Sequence, residues 1–441
     1  MMHTDIPVSL VSAFVLLVLV AVFSAILFRR IRIPYTIGLV AVGLLLYRLG
    51  GVCPRLALLR HIHLTPNFTL YVLLPTLIFD AAINLPVRRL FRDIVPILLL
   101  AVPGVLVATA ATGLIVWWAT PLGLGAAMLF GALVSTTDPV AVIALFNEIG
   151  APKRLAVLVD GESLFNDATA IAAFDIVAAV VAAGLLLPDP LQAWNASSLL
   201  AIPPRFLWVF FGGGAVGAAV GFVMMQLLRW TGRDPLVEIA LTTVVAYAAF
   251  ILANYVLGFS GVMAACGAGL VVKRFAKTRL SPETSRYLHQ FWGFAAFMAN
   301  SMIFLLLGLT ESFLSASHHP FLDISCSILV AIAAMLATRA LILAGTALLY
   351  NPFARRPLTR PLLAAMFWSG LRGALPIALA MSIAPIGAAG GLVTPAERQL
   401  VIQMTLGVIL FTLLVQGTTV SPLMRLLRLA RPSDPAPPAK N

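Results

Sequence analysis

Apolar stretches of about twenty residues, the length a helix needs to cross the hydrocarbon core of a bilayer, recur along the whole chain. Thirteen can be delimited, at 7–28, 35–49, 67–85, 94–119, 123–147, 155–183, 206–230, 235–256, 259–272, 287–312, 321–350, 359–383 and 397–427. The pattern predicts an all-α polytopic membrane protein. Two segments interrupt themselves: the fifth carries Thr137-Asp138-Pro139, and the twelfth carries Gly370-Leu371-Arg372-Gly373-Ala374-Leu375-Pro376. Proline removes a backbone donor and clashes with the preceding turn, and glycine lowers the cost of leaving helical geometry. Both helices are expected to unwind near their middles.

Thirteen segments divide as six, one and six, so the second six start from the opposite side of the membrane. On this reading residues 1–205 form a first repeat, 206–230 a linking span, 231–431 a second, inverted repeat and 432–441 a short polar tail expected to be disordered. Inverted repeats of this kind place a transport site near the midplane, where broken helices in corresponding positions meet. The fifth and twelfth segments are such a pair.

Composition narrows the class. Of 441 residues 61% are hydrophobic and 10% charged, against roughly a quarter charged in soluble domains. The net charge of +12 suggests nucleic acid as a partner only if it gathers on one face. It does not: with the N-terminus outside, 22 of the 29 Lys and Arg fall in loops on the inner side, five outside and two, Arg339 and Arg372, within spans. That is the bias of a membrane protein with its C-terminus in the cytoplasm. No Lys or Arg precedes the first apolar run and three Arg follow it, the reverse of a cleaved signal, so that run is expected to stay as a helix. Cys53, Cys266 and Cys326 form no metal-type spacing or disulfide framework.

Ionisable groups inside otherwise apolar spans are costly and mark functional sites. They concentrate in the broken fifth segment and at the head of the sixth, Gly161-Glu162-Ser163-Leu164-Phe165-Asn166-Asp167. Spacing by four puts Ser163 with Asp167 and Glu162 with Asn166 on adjoining strips of one helix. With Asp138 and the Thr137 carbonyl they offer the oxygen ligands hard cations prefer, and no His or Cys suggests a transition metal. Desolvation disfavours a charged carboxylate, so protons compete with a cation for such a site. An intramembrane hydrolase lacks a mid-span His to activate Ser163, and a channel needs a continuous lined pore.

Ser135-Thr136-Thr137-Asp138-Pro139-Val140-Ala141-Val142, Gly161-Glu162-Ser163-Leu164-Phe165-Asn166-Asp167, Trp368-Ser369-Gly370-Leu371-Arg372-Gly373-Ala374 and Leu74-Pro75-Thr76-Leu77-Ile78-Phe79-Asp80-Ala81 resemble the monovalent cation/proton antiporters of the sodium/proton exchanger family. Pro235-Leu236-Val237-Glu238-Ile239-Ala240-Leu241-Thr242 is similar to its bacterial members. The resemblance implies a core bundle moving against a dimerisation domain, a homodimer in lipid, and a bacterial inner membrane location. It implies a transporter of Na+, with Li+ or K+ as alternatives, against H+, regulating intracellular pH and sodium without a resident cofactor. It names Asp167 as the exchange carboxylate, helped by Ser163, Asp138, Glu162 and the Thr137 main chain, and Arg372 as the counter-charge of Glu162. Asn166 in place of a second acid goes with electroneutral exchange, and charge counting agrees: with one carboxylate, one proton replaces one monovalent cation.

The remaining polar positions are open. Arg339 needs a partner, for which Asp80 is the nearest unassigned acid in depth. Asp175, two turns beyond Asp167, lines an access path or is a water-facing acid. Glu238 is structural or senses pH. Glu148, Asp160 and Glu311 are expected at solvated helix ends, and His61, His63, His289, His318 and His319 lie near loops without a visible partner.

Overall fold

A computed structural model describes residues 8–30, 35–50, 52, 68–182, 196–227, 234–309, 321–373, 375–384 and 393–430. The expectations for Cys53, His61, His63, Glu311, His318, His319 and the tail at 432–441 lie outside these residues.

The elements are helices, in chain order α1 (Val8–Arg30), α2 (Tyr35–Gly50), α3 (Thr69–Asn84), α4 (Val87–Arg92), α5 (Ile94–Ala119), α6 (Leu124–Val134), α7 (Val140–Glu148), α8 (Lys153–Ala182), α9 (Ala196–Leu227), α10 (Pro235–Val256), α11 (Gly261–Arg279), α12 (Pro282–Leu309), α13 (Phe321–Tyr350), α14 (Arg360–Trp368), α15 (Leu375–Ser382) and α16 (Pro395–Leu426). Among the described residues seven, in α5, α8, α9, α10, α12, α13 and α16, are long and apolar enough to cross a bilayer. The chain is an all-helical, multi-pass membrane protein. Backbone polar groups must be satisfied within the segment where no water reaches, so apolar runs of this length become helices.

Contacts divide the chain into two units, each drawing on both halves of the sequence. One comprises Met1–Asn84, Leu207–Phe321 and Ala374–Leu406. Its core holds Val245, Ala246 and Ala249 of α10 against Ala264, Ala268 and Val272 of α11, with Phe79 and Trp292 in ring contact at 4.5 Å between centroids. The Trp292 indole N–H donates to Thr242 Oγ1 at 3.1 Å, which satisfies a buried donor that would otherwise be costly. Asp234 caps α10 by accepting the Leu236 N–H at 2.9 Å, with Pro235 at the first helical position; Ser260 caps α11 from Met263 at 3.2 Å. α9 crosses α11 at Gly217, where a Cβ would stand 2.6 Å from the Ala264 Cα. Small residues at such crossings let helix backbones approach where lipid gives no hydrophobic drive.

The other unit comprises Leu85–Phe206, Leu322–Gly373 and Gly407–Asn441. α5 meets α13 through Thr112 and Thr338, whose hydroxyls are 3.0 Å apart. The buried Leu129, Phe130 and Leu133 of α6 and Leu158 of α8 belong to its interior. α5 and α16 each contain a π-turn, at Leu100–Gly104 around Pro103 and at Thr412–Gln416. Both interruptions expected from the sequence are present: α6 and α7 are separated by non-helical residues 135–139, and α14 ends at Trp368 ahead of non-helical residues 369–373.

Candidate functional site

The first break is made by its own side chains. Ser135 Oγ donates back to the Ala132 carbonyl at 2.6 Å and Thr136 Oγ1 to the Leu133 carbonyl at 3.2 Å, closing the end of α6. Short hydroxyl side chains compete in this way with helix continuation. Pro139 lacks an N–H to extend the ladder, and Asp138 Oδ1 accepts the Val140 N–H at 3.0 Å at the start of α7.

The second break lies against the first. The Asp138 N–H donates to the Leu371 carbonyl at 2.8 Å. Arg372 reaches from the second break to the first, its Nη1 donating to the Thr136 carbonyl. Its own N–H is held by Thr412 Oγ1 at 3.2 Å, from the π-turn of α16. Glycine at 373 is required by this approach: a Cβ there would lie 2.6 Å from Asp138 Cβ and 2.8 Å from its Cγ.

α8 grips the first break from the side. Ser163 Oγ donates to the Thr137 carbonyl. Asn166 Nδ2 donates to Thr137 Oγ1 at 2.6 Å, and the Thr137 N–H donates to Asn166 Oδ1 at 3.4 Å. Both side chains are buried. Asn166 is therefore committed to Thr137 on its oxygen and its nitrogen.

Glu162 faces a different partner. Arg339 of α13 donates through Nη1 to Glu162 Oε1 and through Nη2 to Oε2 at 3.0 Å, and Nη2 also donates to the Met366 carbonyl at 3.2 Å. The pair is 2% and 8% exposed on its two side chains, and a buried carboxylate persists only when matched by charge and hydrogen bonds. Two sequence expectations are corrected here. Glu162 is paired by Arg339 and not by Arg372, because the bidentate fork comes from α13 while Arg372 is spent on backbone. Asp80 is not the partner of Arg339; it accepts from Asn84 Nδ2 at 2.9 Å, one turn along its own helix.

Asp167 is different from all of these. Partly exposed, it makes no hydrogen bond or ion pair with the described residues, and it stands within electrostatic reach of the Asp138 carboxylate and the Arg372 guanidinium. Six consecutive residues of α8, 162–167, thus carry a clamp, a paired acid and an acid without a partner among the described residues. The breaks supply the Thr137 carbonyl, whose second lone pair is unused by Ser163, and Asp138 Oδ2. Such oxygens suit a hard cation.

The other candidates stand apart. Asp175 is exposed on α8. Glu238 is 1% exposed in the first turn of α10, its Oε2 without a partner among the described residues. Glu148 is exposed at the end of α7, and His289 Nε2 lies 3.4 Å from Lys273 Nζ. Cys266 is buried and Cys326 exposed. Sequence reasoning missed Thr412, whose only outward sign is a hydroxyl in an apolar run, and the carbonyls of Leu371 and Met366, which carry no sign at all.

The model of the transmembrane sodium/hydrogen exchanger family matches residues 16–426. The chain belongs to this exchanger family. Family relatives include the Na(+)/H(+) antiporter ApNhaP of Aphanothece halophytica, 34% identical over 399 residues that cover 90% of this chain and 70% of the relative. The Na(+)/H(+) antiporter NhaP of Pseudomonas aeruginosa is 31% identical over 443 residues, covering 96% and 98% of the two chains. The solved structure of the sodium proton antiporter MjNhaP1 from Methanocaldococcus jannaschii superposes with a TM-score of 0.73 at 19% identity, over 95% of this chain and 99% of that one. At that identity the likeness establishes a shared fold.

Proposed function

We propose that this protein exchanges one sodium ion for one proton by alternating access, with Asp167 as the exchange carboxylate. The observation that carries the reading is the isolation of Asp167: in a turn where Glu162, Ser163 and Asn166 all have partners, its carboxylate has none among the described residues. Asp138 and the oxygens of Ser163 and Thr137 complete the sodium ligands. Glu162 belongs with Arg339 as a neutral pair outside that ligand set. Asn166 positions Thr137 and adds no charge, so one proton balances one sodium ion. Family membership and the names of the relatives support antiport, the work of a transporter and not of an enzyme.

The site moves between the two faces of the membrane loaded with either ion, while an empty, charged Asp167 is held back by the cost of carrying a bare carboxylate through a low-dielectric interior. The wider architecture proposed with it is thirteen spans in inverted repeats, a core domain working against a dimerisation domain, and a homodimer. Exposed Phe23, Trp118, Phe294 and Leu348 suit a surface facing lipid, and the basic loops support an N-out, C-in orientation in a bacterial inner membrane. Reconstituted vesicles test the stoichiometry: sodium-driven proton flux should proceed at the same rate with or without an imposed membrane potential, and a rate that follows the potential overturns 1:1 exchange.

A further inference from the structure

Arg154 lies in the first turn of α8 and commits its guanidinium to groups outside that helix. Nε donates to Asp93 Oδ1 at 2.9 Å, Nη1 to the Pro357 carbonyl at 3.1 Å and Nη2 to the Arg356 carbonyl at 2.7 Å. Asp93, only 1% exposed, is the residue between α4 and α5. Residues 356 and 357 belong to the loop that leads into α14. The same loop is stapled from within: Asn351 Oδ1 accepts the Leu358 N–H at 2.7 Å and Nδ2 donates to the Leu358 carbonyl at 3.1 Å.

Two helical stretches of similar length, residues 154–163 of α8 and the whole of α14, leave this clasp and arrive at the same place. Arg154 precedes Ser163 by nine positions on α8, a rise of about 13 Å. α14 is nine residues long and ends at the second break. At the far end the rods are joined again, by the Arg339 guanidinium that bridges Glu162 to the Met366 carbonyl. There the breaks that α8 grips and α14 feeds meet at Asp138 and Leu371. The arrangement is a closed frame with Arg154 at one end and the candidate site at the other.

We propose that Arg154 is a positioning residue of the exchange site: by holding the 354–359 loop to the head of α8 it sets the spacing between Ser163 and Asp167 on one rod and Asp138 and Gly373 at the breaks. The proposal rests on the reading of Asp167 as the exchange carboxylate. A bidentate or forked arginine site is not preserved by lysine. R154K keeps a positive charge for Asp93 but cannot span two carbonyls as well. N351A loosens the same loop while leaving Asp93 and Arg154 untouched.

Sodium-driven proton flux in proteoliposomes, measured over a range of sodium concentrations together with melting temperature, tests this on wild type, R154K and N351A. The expected result is an apparent sodium KM raised about fivefold in both variants, with maximal rate within about twofold of wild type, since small misplacements of a site are read in its ligand geometry, and with melting temperatures unchanged. Wild-type KM in both variants overturns the proposal, as does a loss confined to maximal rate and melting temperature, which a purely structural clasp would give. If R154K does not fold, N351A decides alone. Inactive wild type would instead count against the antiport reading, so the two failures are separate.

Discussion

The guanidinium of Arg339 forks onto the carboxylate of Glu162 across 177 residues of sequence, Nη2 to Oε2 at 3.0 Å. This pairing removes one of the three acids around the breaks from the chemistry. It also separates the neighbouring positions of α8: 162 faces α13, 163 and 166 face the first break, and 167 has no partner among the described residues.

Breaking that pair from either side leaves an uncompensated charge in the interior. Glu162→Ala and Arg339→Ala should each destabilise the protein by about 3–5 kcal/mol, while replacing both with apolar residues of similar volume should recover most of the loss. Thermal denaturation of purified protein checks it; single variants that melt with wild type would show that the pair is not buried as described.

Gly373→Ala drives a methyl group into Asp138. The backbone bond from Asp138 to Leu371 must then lengthen, and exchange should fall by more than about tenfold, the scale on which small displacements in a preorganised site are felt. Flux assays on protein of normal expression decide it, and near-normal activity would mean that the two breaks tolerate separation.

Ser163→Ala deletes the donor that holds the Thr137 carbonyl. Loss of one such hydrogen bond amounts to about 1 kcal/mol, or about fivefold in the apparent sodium KM. A sodium titration reads it directly. An unchanged KM would place the Thr137 carbonyl outside the sodium ligands.

In the proposed mechanism proton and sodium compete for one carboxylate, and the sign of the pH response follows from that. Acidification fills Asp167 with protons and should raise the apparent sodium KM, by up to about tenfold per pH unit through mass action, with the maximal rate at saturating sodium little changed. Sodium titrations at several symmetrical pH values measure it; a KM independent of pH would mean that the two ions bind at different places.

Much of this site is legible in the sequence because its causes are local. Pro139 lacks the N–H that would extend α6, and Ser135 and Thr136 just before it bond back to close that helix, while the i, i+3 and i+4 spacing of Ser163, Asn166 and Asp167 brings them to one side of any helix. The apolar runs are equally local, since a helix is the way a single segment of about twenty residues satisfies its own backbone in lipid. What sequence reasoning misassigned was pairing at a distance. Arg339 and Arg372 are two cations at similar depth, with Glu162 and Asp80 as acids for them, and nothing local says which takes which. In the structure Arg339 of α13 meets Glu162, and Arg372 donates to the Thr136 carbonyl. Backbone partners such as Leu371 and Met366 were invisible because every residue carries a carbonyl.

The central claim is that Asp167 alone exchanges the proton for sodium. Dequenching of a pH-sensitive dye on adding sodium to everted vesicles, compared between wild type and Asp167→Asn at matched expression, tests it most directly. The account predicts a full sodium response in wild type and none in the variant; a wild-type response in Asp167→Asn would contradict it.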